Sequence, residues 1–399
     1  MTNTNTSVTT PVSSSSLPTV DHSKYRLVEL TDIKEIEQCH TRNYVEWAGG
    51  LTVDQYLQRE KGVFAILAKY GFSLTYWALQ EKSDSGDWIT VSACESVCRP
   101  ALYKVKGKPV NDTISHSIGS VFTPKENRGK GYAKIMMILL AERLHSWKTE
   151  GLSEEQINNS IIALWSDVGL FYGLFGYELT DAEEIKISPD YKSETVSGSA
   201  ASIPEGVELL SSSEEIAKLV AQDEAYMVKR IDEQTEQDGS PRAIIAPRAG
   251  VFEHTFWRSR YIGRYLNKTD EKEPSVFGAR VNGSWMLWNQ DYGSKKLYGQ
   301  RIFTDRSKYT SNEEIVRDII KLIQAAVIET KKWNLPYLCI WTSDLPEGID
   351  GDAIVSAYES TANPEPIVKW QRPGSLPMYH TSGTRKNLKW VFDGKYAWF

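Results

Sequence analysis

The residues in this chain best suited to chemistry lie in one short run, Asn127-Arg128-Gly129-Lys130-Gly131-Tyr132-Ala133, between a β-like stretch ending at Phe122-Thr123-Pro124 and a long apolar helix. A helix N-terminus carries unpaired N–H groups and a partial positive charge, so it attracts anions. Glycine lets the backbone approach a bulky phosphate and adopt positive φ. Arg128 and Lys130 add charge, so the run reads as a pyrophosphate cradle. It is not a nucleotide-triphosphate loop, because no Gly-Lys-Ser/Thr follows four residues after a glycine. It is not a dinucleotide fingerprint, because Gly-x-Gly-x-x-Gly is absent. A metal centre is not expected: Cys94 and Cys98 stand as C-x3-C with no second pair and no nearby histidine.

The elements that must position the loop follow from periodicity. Lys24–Leu30 alternates like a strand, and the segment from Thr31 or Asp32 reads as a helix broken at Gly49-Gly50. A second helical stretch follows, then strand runs at 73–82, 88–98 and 112–123. The helix after the loop extends from about Lys130 to Trp147. Ser160–Asp167 is a strand, Gly169–Gly176 a short helix, and 177–180 and 184–188 strand material. Residues 191–213 have the Ser- and Gly-rich composition of a linker. The second half repeats the order of elements: a hairpin turning at Asn282-Gly283, a strand at 295–303, a helix with Ser311 and Glu314 as its capping box, and a buried strand at 337–341. No glycine loop precedes that second helix. The expected organisation is a disordered tail at 1–23, a first domain at 24–190, the linker, and a second domain at 214–399 that keeps the scaffold and lacks the loop.

Composition excludes some partners. With 399 residues the chain exceeds one ordinary core, and its formal net charge of −6 argues against nucleic acid. No apolar run reaches the ~18 residues of a membrane span. The first twenty residues lack the basic and apolar regions of a secretory signal. The four cysteines fit buried thiols in a reducing, cytoplasmic setting.

Arg128-Gly129-Lys130-Gly131-Tyr132-Ala133 fits R-x-x-G-x-G/A between a strand and an apolar helix, and resembles the acetyl-CoA loop of the GNAT superfamily of N-acetyltransferases. One extra residue separates Pro124 from the arginine. The resemblance implies an α/β (α+β) fold of tandem mixed sheets with flanking helices, the second copy degenerate. It implies acetyl-CoA as co-substrate and no metal. The backbone of Arg128, Gly129, Lys130, Gly131, Tyr132 and Ala133 would hold the pyrophosphate, and Ser120, Val121 and Phe122 would pair with the pantetheine arm. Downstream, "FYGLFGY" is similar to the family's "FYxxLGF/W", which implies Tyr172 as the group facing the CoA sulfur.

The organisation of the whole chain, with "SDVG" and "FYG.FGY" in the first half, resembles the fungal lysine N6-acetyltransferases, which acetylate free L-lysine at the start of lysine breakdown. An ammonium with an unperturbed pKa near ~10.4 must lose a proton before it attacks. The candidates for the base are His116, Glu95 and the carboxylate of Phe399, the last by analogy with the N-myristoyltransferases. Arg42, Arg258 and Arg260 are candidates for holding the acceptor's carboxylate, and Trp47 for flanking its stem. The alternatives are a protein or polyamine acceptor, or a CoA-binding interaction module without catalysis.

Overall fold

The computed structural model describes residues 19–189, 202–267, 273–381 and 387–399. Most of the expected tail and the first part of the expected linker lie outside the described residues.

Alternating residues make the first sheet. β1 (Tyr25–Leu30), β2 (Ser73–Lys82), β3 (Trp88–Lys104) and β4 (Asn111–Phe122) pair antiparallel in sequence order. Between β1 and β2, α1 (Ile33–Trp47) starts at an Asp32 cap and α2 (Val53–Lys69) at a Thr52/Gln55 capping box. Gly49 and Gly50, with φ of 59° and 99°, turn the chain between them. After β4 comes α3 (Tyr132–Leu144), whose residues Met136 to Ala141 are all buried. It carries the chain back over the sheet, through the short α4 (Glu154–Asn158), to β5 (Ile161–Ser166), which runs parallel to β4.

The two halves exchange strands. β6 (Glu178–Leu179) stays with the first sheet, but β7 (Glu183–Ile187), expected to close the first unit, lies in the second sheet between β13 (Tyr337–Trp341) and β14 (Ile367–Gln371). The described end of the expected linker contains a strand, β8 (Glu208–Leu210), on the second sheet's edge. In return, β9 (Arg242–Ile245) pairs with β3, β15 (Leu376–Thr381) lies between β5 and β6, and β16 (Lys389–Trp390) pairs with β9.

The second sheet repeats the motif of the first: the hairpin β10 (Gly278–Val281) and β11 (Ser284–Asp291), then β12 (Lys296–Thr304), then α7 (Asn312–Lys332) back to β13, parallel to β12. The capping box of α7 is half formed. Ser311 accepts from the Glu314 N–H, but the Glu314 carboxylate binds the N–H and hydroxyl of Thr310. A short helix, α8 (Gly351–Glu359), precedes β14. Of two further helices, α5 (Ser213–Asp238) packs against β3 and β9 of the first sheet, and α6 (Ala249–Leu266) against α2 and against β11 of the second. α6 packs closely on α2: a Cβ at Gly62 would stand 1.9 Å from the Trp257 ring. One apolar cluster, including Val63, Val97, Trp165, Phe252, Phe256, Trp285 and Trp341, joins both halves.

Candidate active site

β4 and β5 pair only from Ser115 to Ile118 against Ile161 to Leu164, yet both strands run on. Beyond Ile118 they diverge, and the β5-facing edge of Gly119–Phe122 is left unpaired. An unpaired strand edge is a template for another extended chain or a ligand arm. At this point β4 also bulges: Glu95 of β3 faces Gly119, Ala93 faces Phe122, and Ser120 takes a φ of 53°. The bulge turns the Ser120 hydroxyl onto the Glu95 carboxylate, to which it donates.

The loop follows. A single 3-10 turn, Lys125–Asn127, takes up the extra residue after Pro124. Gly129 and Gly131 have φ of 80° and 81°, and Gly131 caps α3 with no side chain to bond the first-turn N–H groups. Nothing lies within 4 Å of where a Cβ would sit on either glycine, so the demand there is conformational. Arg128 ties the loop together, donating from Nε to the Thr123 carbonyl (3.0 Å) and pairing with Glu46 (3.1 Å). The Tyr132 hydroxyl donates to Glu81, so its side chain is turned away from the loop. Lys130 is exposed, its ammonium 5.8 Å from the Tyr132 ring.

Side-chain alternation sorts the remaining candidates onto two faces of the sheet. Cys94 and Ile118 pack with α3 on one face. His116 shares their face. It is fully buried, its Nε2 lies 3.0 Å from the Trp147 carbonyl oxygen, and burial pushes its pKa down to about 4. It sits where β4 and β5 are still paired, away from the open end. Tyr172 belongs to the same layer, in a 3-10 turn (Phe171–Phe175) where a short helix was expected, just past the end of β5. Burial first, then the Cys94 thiol and Asp167, push its phenol well above its ordinary range. It therefore stays a proton donor.

Glu95 is on the opposite face, with α1, α2 and α6. It is 7% exposed, and its pKa is raised to about 7, by burial first and then by the charge of Glu60. The Ser120 hydroxyl and the cations Arg59 and Arg258 pull the other way. His40, Glu60 and Glu95 are all buried, with ligand atoms within 4.8 Å of one another. Arg59 holds Glu60 through Nε (2.7 Å), donates to the Trp47 carbonyl (2.8 Å) and stacks on Tyr56 (4.4 Å). The Tyr56 hydroxyl donates to Asn43 (2.8 Å).

Arg258 reaches this cluster from α6 in the second half. Its charge acts on Glu95 and Tyr56. It is half-buried in a narrow cleft and has no hydrogen-bond or ion-pair partner among the described residues. Trp47 stands edge-on to Phe122, 5.9 Å between centroids. The Phe399 ring rests on Gly119, 3.2 Å from where a Cβ would lie, at the point where β4 leaves β5. Glu95, Trp47, Arg258 and Phe399 thus gather around the open end. The structure separates the others. Arg42 is exposed on α1, Arg260 turns away from Arg258 to lie 4.5 Å from the Phe277 ring, and His116 is under Trp147. Sequence reasoning missed Arg59 and Glu60. The signal was present: both fall inside the apolar stripe Tyr56, Val63, Leu67, where α2 should carry no charge.

The whole chain shares its fold with Saccharomyces cerevisiae N-myristoyltransferase solved with bound myristoyl-CoA and inhibitors. Identity is 13%, the TM-score 0.50, and the match covers 94% of this chain and 83% of that one. That likeness is one of fold, two mixed sheets with flanking helices in tandem. Residues 188–399 match the family described as the LYC1 GNAT-like C-terminal domain, and the chain belongs to that family. It is 28% identical over 411 residues to a lysine acetyltransferase of Yarrowia lipolytica, covering 93% of this chain and 99% of the relative. It is 26% identical over 333 residues to an uncharacterized protein of Saccharomyces cerevisiae, covering 77% and 81%. The chain is an N-acetyltransferase of the GNAT type, using an acyl-CoA and an amine acceptor. No helix among the described residues is long and apolar enough to cross a membrane.

Proposed function

We propose that the protein transfers acetyl from acetyl-CoA to the ε-amine of free L-lysine, a step in lysine breakdown. The observation that carries this reading is the buried Glu60–Glu95 pair on the acceptor face of the open strand edge, with the unpartnered Arg258 beside it. Two carboxylates in low dielectric suit an incoming ammonium. The name of the Yarrowia lipolytica relative supports the choice of lysine.

The Gly131 cap and the first turn of α3 hold the pyrophosphate, and the free edge of Gly119–Phe122 takes the pantetheine arm. The thioester then lies between Glu95 on one face and Tyr172 on the other. The Glu95 carboxylate accepts a proton from the ammonium. The neutral nitrogen attacks the thioester carbonyl carbon, the C–N bond forms, and the C–S bond breaks as the tetrahedral intermediate collapses. The departing thiolate takes the Tyr172 proton, and the amide nitrogen's surplus proton restores the phenol. The net products are the acetamide, CoA thiol and one proton, which leaves from Glu95. The His40–Glu60–Glu95 group is read as an amine site because Glu60 is already ion-paired to Arg59 and Glu95 bonded to Ser120. Free thiols at all four cysteines support a reducing compartment such as the cytoplasm.

Incubation with acetyl-CoA and a panel of free amino acids, polyamines and peptides, read by mass spectrometry, tests the reading. Acetylated lysine is the expected product. A polyamine or peptide as the preferred acceptor replaces lysine, and no acetylated amine at all returns the protein to a CoA-binding role.

A further inference from the structure

The cleft that Arg258 opens onto is lined by polar groups, several of which keep unused hydrogen-bonding capacity among the described residues. Thr255, Arg258, Asn289, Asp291, Lys395 and Trp398 face it, all from the second half of the chain. Two are cations. The Arg258 guanidinium lies 5.5 Å from the Trp398 ring and makes no ion pair among the described residues. Lys395 is 4% exposed and caged by the rings of Trp398 (3.8 Å), Tyr298 (4.3 Å) and Trp341 (5.1 Å). Its ammonium has no carboxylate or carbonyl partner among the described residues. Two are acceptors. Asn289 Oδ1 is buried without a donor, and the Asp291 carboxylate is bonded on one oxygen by the Ser294 N–H (3.0 Å).

A buried cation with no hydrogen-bonded anion and a buried acceptor without a donor are both costly, and the Asp291 carboxylate acts on Arg258 and Lys395 only through its field. Here they line one narrow cleft of about 20 Å³, room for a water-sized group, which a single ligand satisfying both must widen. That ligand must carry an anion and a cation close together, as the head of an α-amino acid does. The cage leaves the Lys395 ammonium poorly solvated, and burial holds its pKa down to about 7, so an arriving carboxylate draws it into the charged form. Arg258 spans the two charge groups: its field acts on Glu95 at one end and on Lys395 at the other.

We propose that this cleft is an amino-acid head site, with Arg258 and Lys395 binding the α-carboxylate and Asn289 and Asp291 the α-ammonium, so that a lysine side chain extends toward Glu60 and Glu95. The proposal rests on the acetyltransferase reading above and adds to it a reason why the acceptor is a free amino acid. A residue within a peptide has neither charged group to offer. A polyamine would set a cation against Arg258 and Lys395.

The test compares kcat/KM for L-lysine, for 1,5-diaminopentane, which lacks the carboxylate, and for 6-aminohexanoate, which lacks the α-ammonium. The wild-type protein should prefer lysine to each by roughly 10- to 100-fold, the scale of a charged hydrogen bond. Arg258→Met and, independently, Lys395→Met should shrink the lysine-to-diaminopentane ratio toward one. Asp291→Asn should shrink the lysine-to-aminohexanoate ratio. Acetyl-CoA titration of each variant establishes that it is folded. Equal use of lysine and diaminopentane by the wild type, or ratios unmoved in the variants, would overturn the head site and leave the acetyltransferase standing. Absence of transfer to any amine would overturn both.

Discussion

At the residue scale, the proposed mechanism divides the proton transfers between Glu95 and Tyr172. Glu95→Gln should lower kcat by about 100-fold or more while acetyl-CoA affinity stays unchanged, as steady-state kinetics and titration would show. The pH dependence has a definite sign. The groups facing Glu95 are Glu60 and Arg59 of α2, His40 of α1, Tyr56, Tyr76, Ser120, and Arg258 of α6. With a folded pKa of about 7, the carboxyl is protonated and inactive below that pH, so the wild-type rate should rise with pH through about 7. An unfolded glutamate ionises near ~4.3. A raised folded pKa contributes stability that is full below ~4.3 and lost as pH rises through about 7. Glu95→Gln should therefore raise Tm above pH 7 and change it little near pH 4. Tyr172→Phe should lower turnover roughly tenfold or more with little change in acetyl-CoA Kd. Wild-type turnover in that variant would make Tyr172 a core aromatic and nothing else.

At the scale of elements, the glycine turn proposed to hold the phosphates was legible as a turn because it is contiguous. Seven neighbouring residues, two of them glycines, carry the signal, and the structure adds only the 3-10 turn that takes up the extra residue. Gly131→Asp tests the element: the position needs a φ of 81°, and a carboxylate would oppose the bound phosphate. Acetyl-CoA Kd should rise by roughly 100-fold or more in a calorimetric titration, and an unchanged Kd would remove the loop from the site. The acceptor site was much less legible. It is drawn from α1, α2, β3, the β4 bulge, α6, β11 and the last residues, so no window of sequence contains it. His116 was attractive because it lies on the strand leading to the loop. The period of two decided against it, since it shares the α3 face with Ile118 while Glu95 faces α2.

At the scale of the whole molecule, the strand exchange could not be read from the chain. β7, β9 and β15 look like any short apolar strands, and which sheet they join is settled by long-range pairing. The repeat itself was legible, and two features support the proposal that only the first copy takes CoA. The second lacks the glycine loop before α7. In addition, β12 and β13 pair only from Lys296 to Gly299 against Tyr337 to Ile340, and the segment at Gly394–Ala397 occupies that region: the Lys395 N–H donates to Asp344 (2.7 Å) and its ammonium sits over Tyr298 and Trp341. Calorimetry should give one acetyl-CoA per chain, and two would refute this account of the second copy.

The central claim is transfer to the side-chain amine of free lysine. Its most direct measurement is the mass spectrum, with fragmentation, of the product formed from acetyl-CoA and L-lysine isotopically labelled at the ε-nitrogen. The account predicts one acetyl group, bound to the labelled nitrogen. An acetyl group on the α-nitrogen, or lysine recovered unmodified, would contradict it.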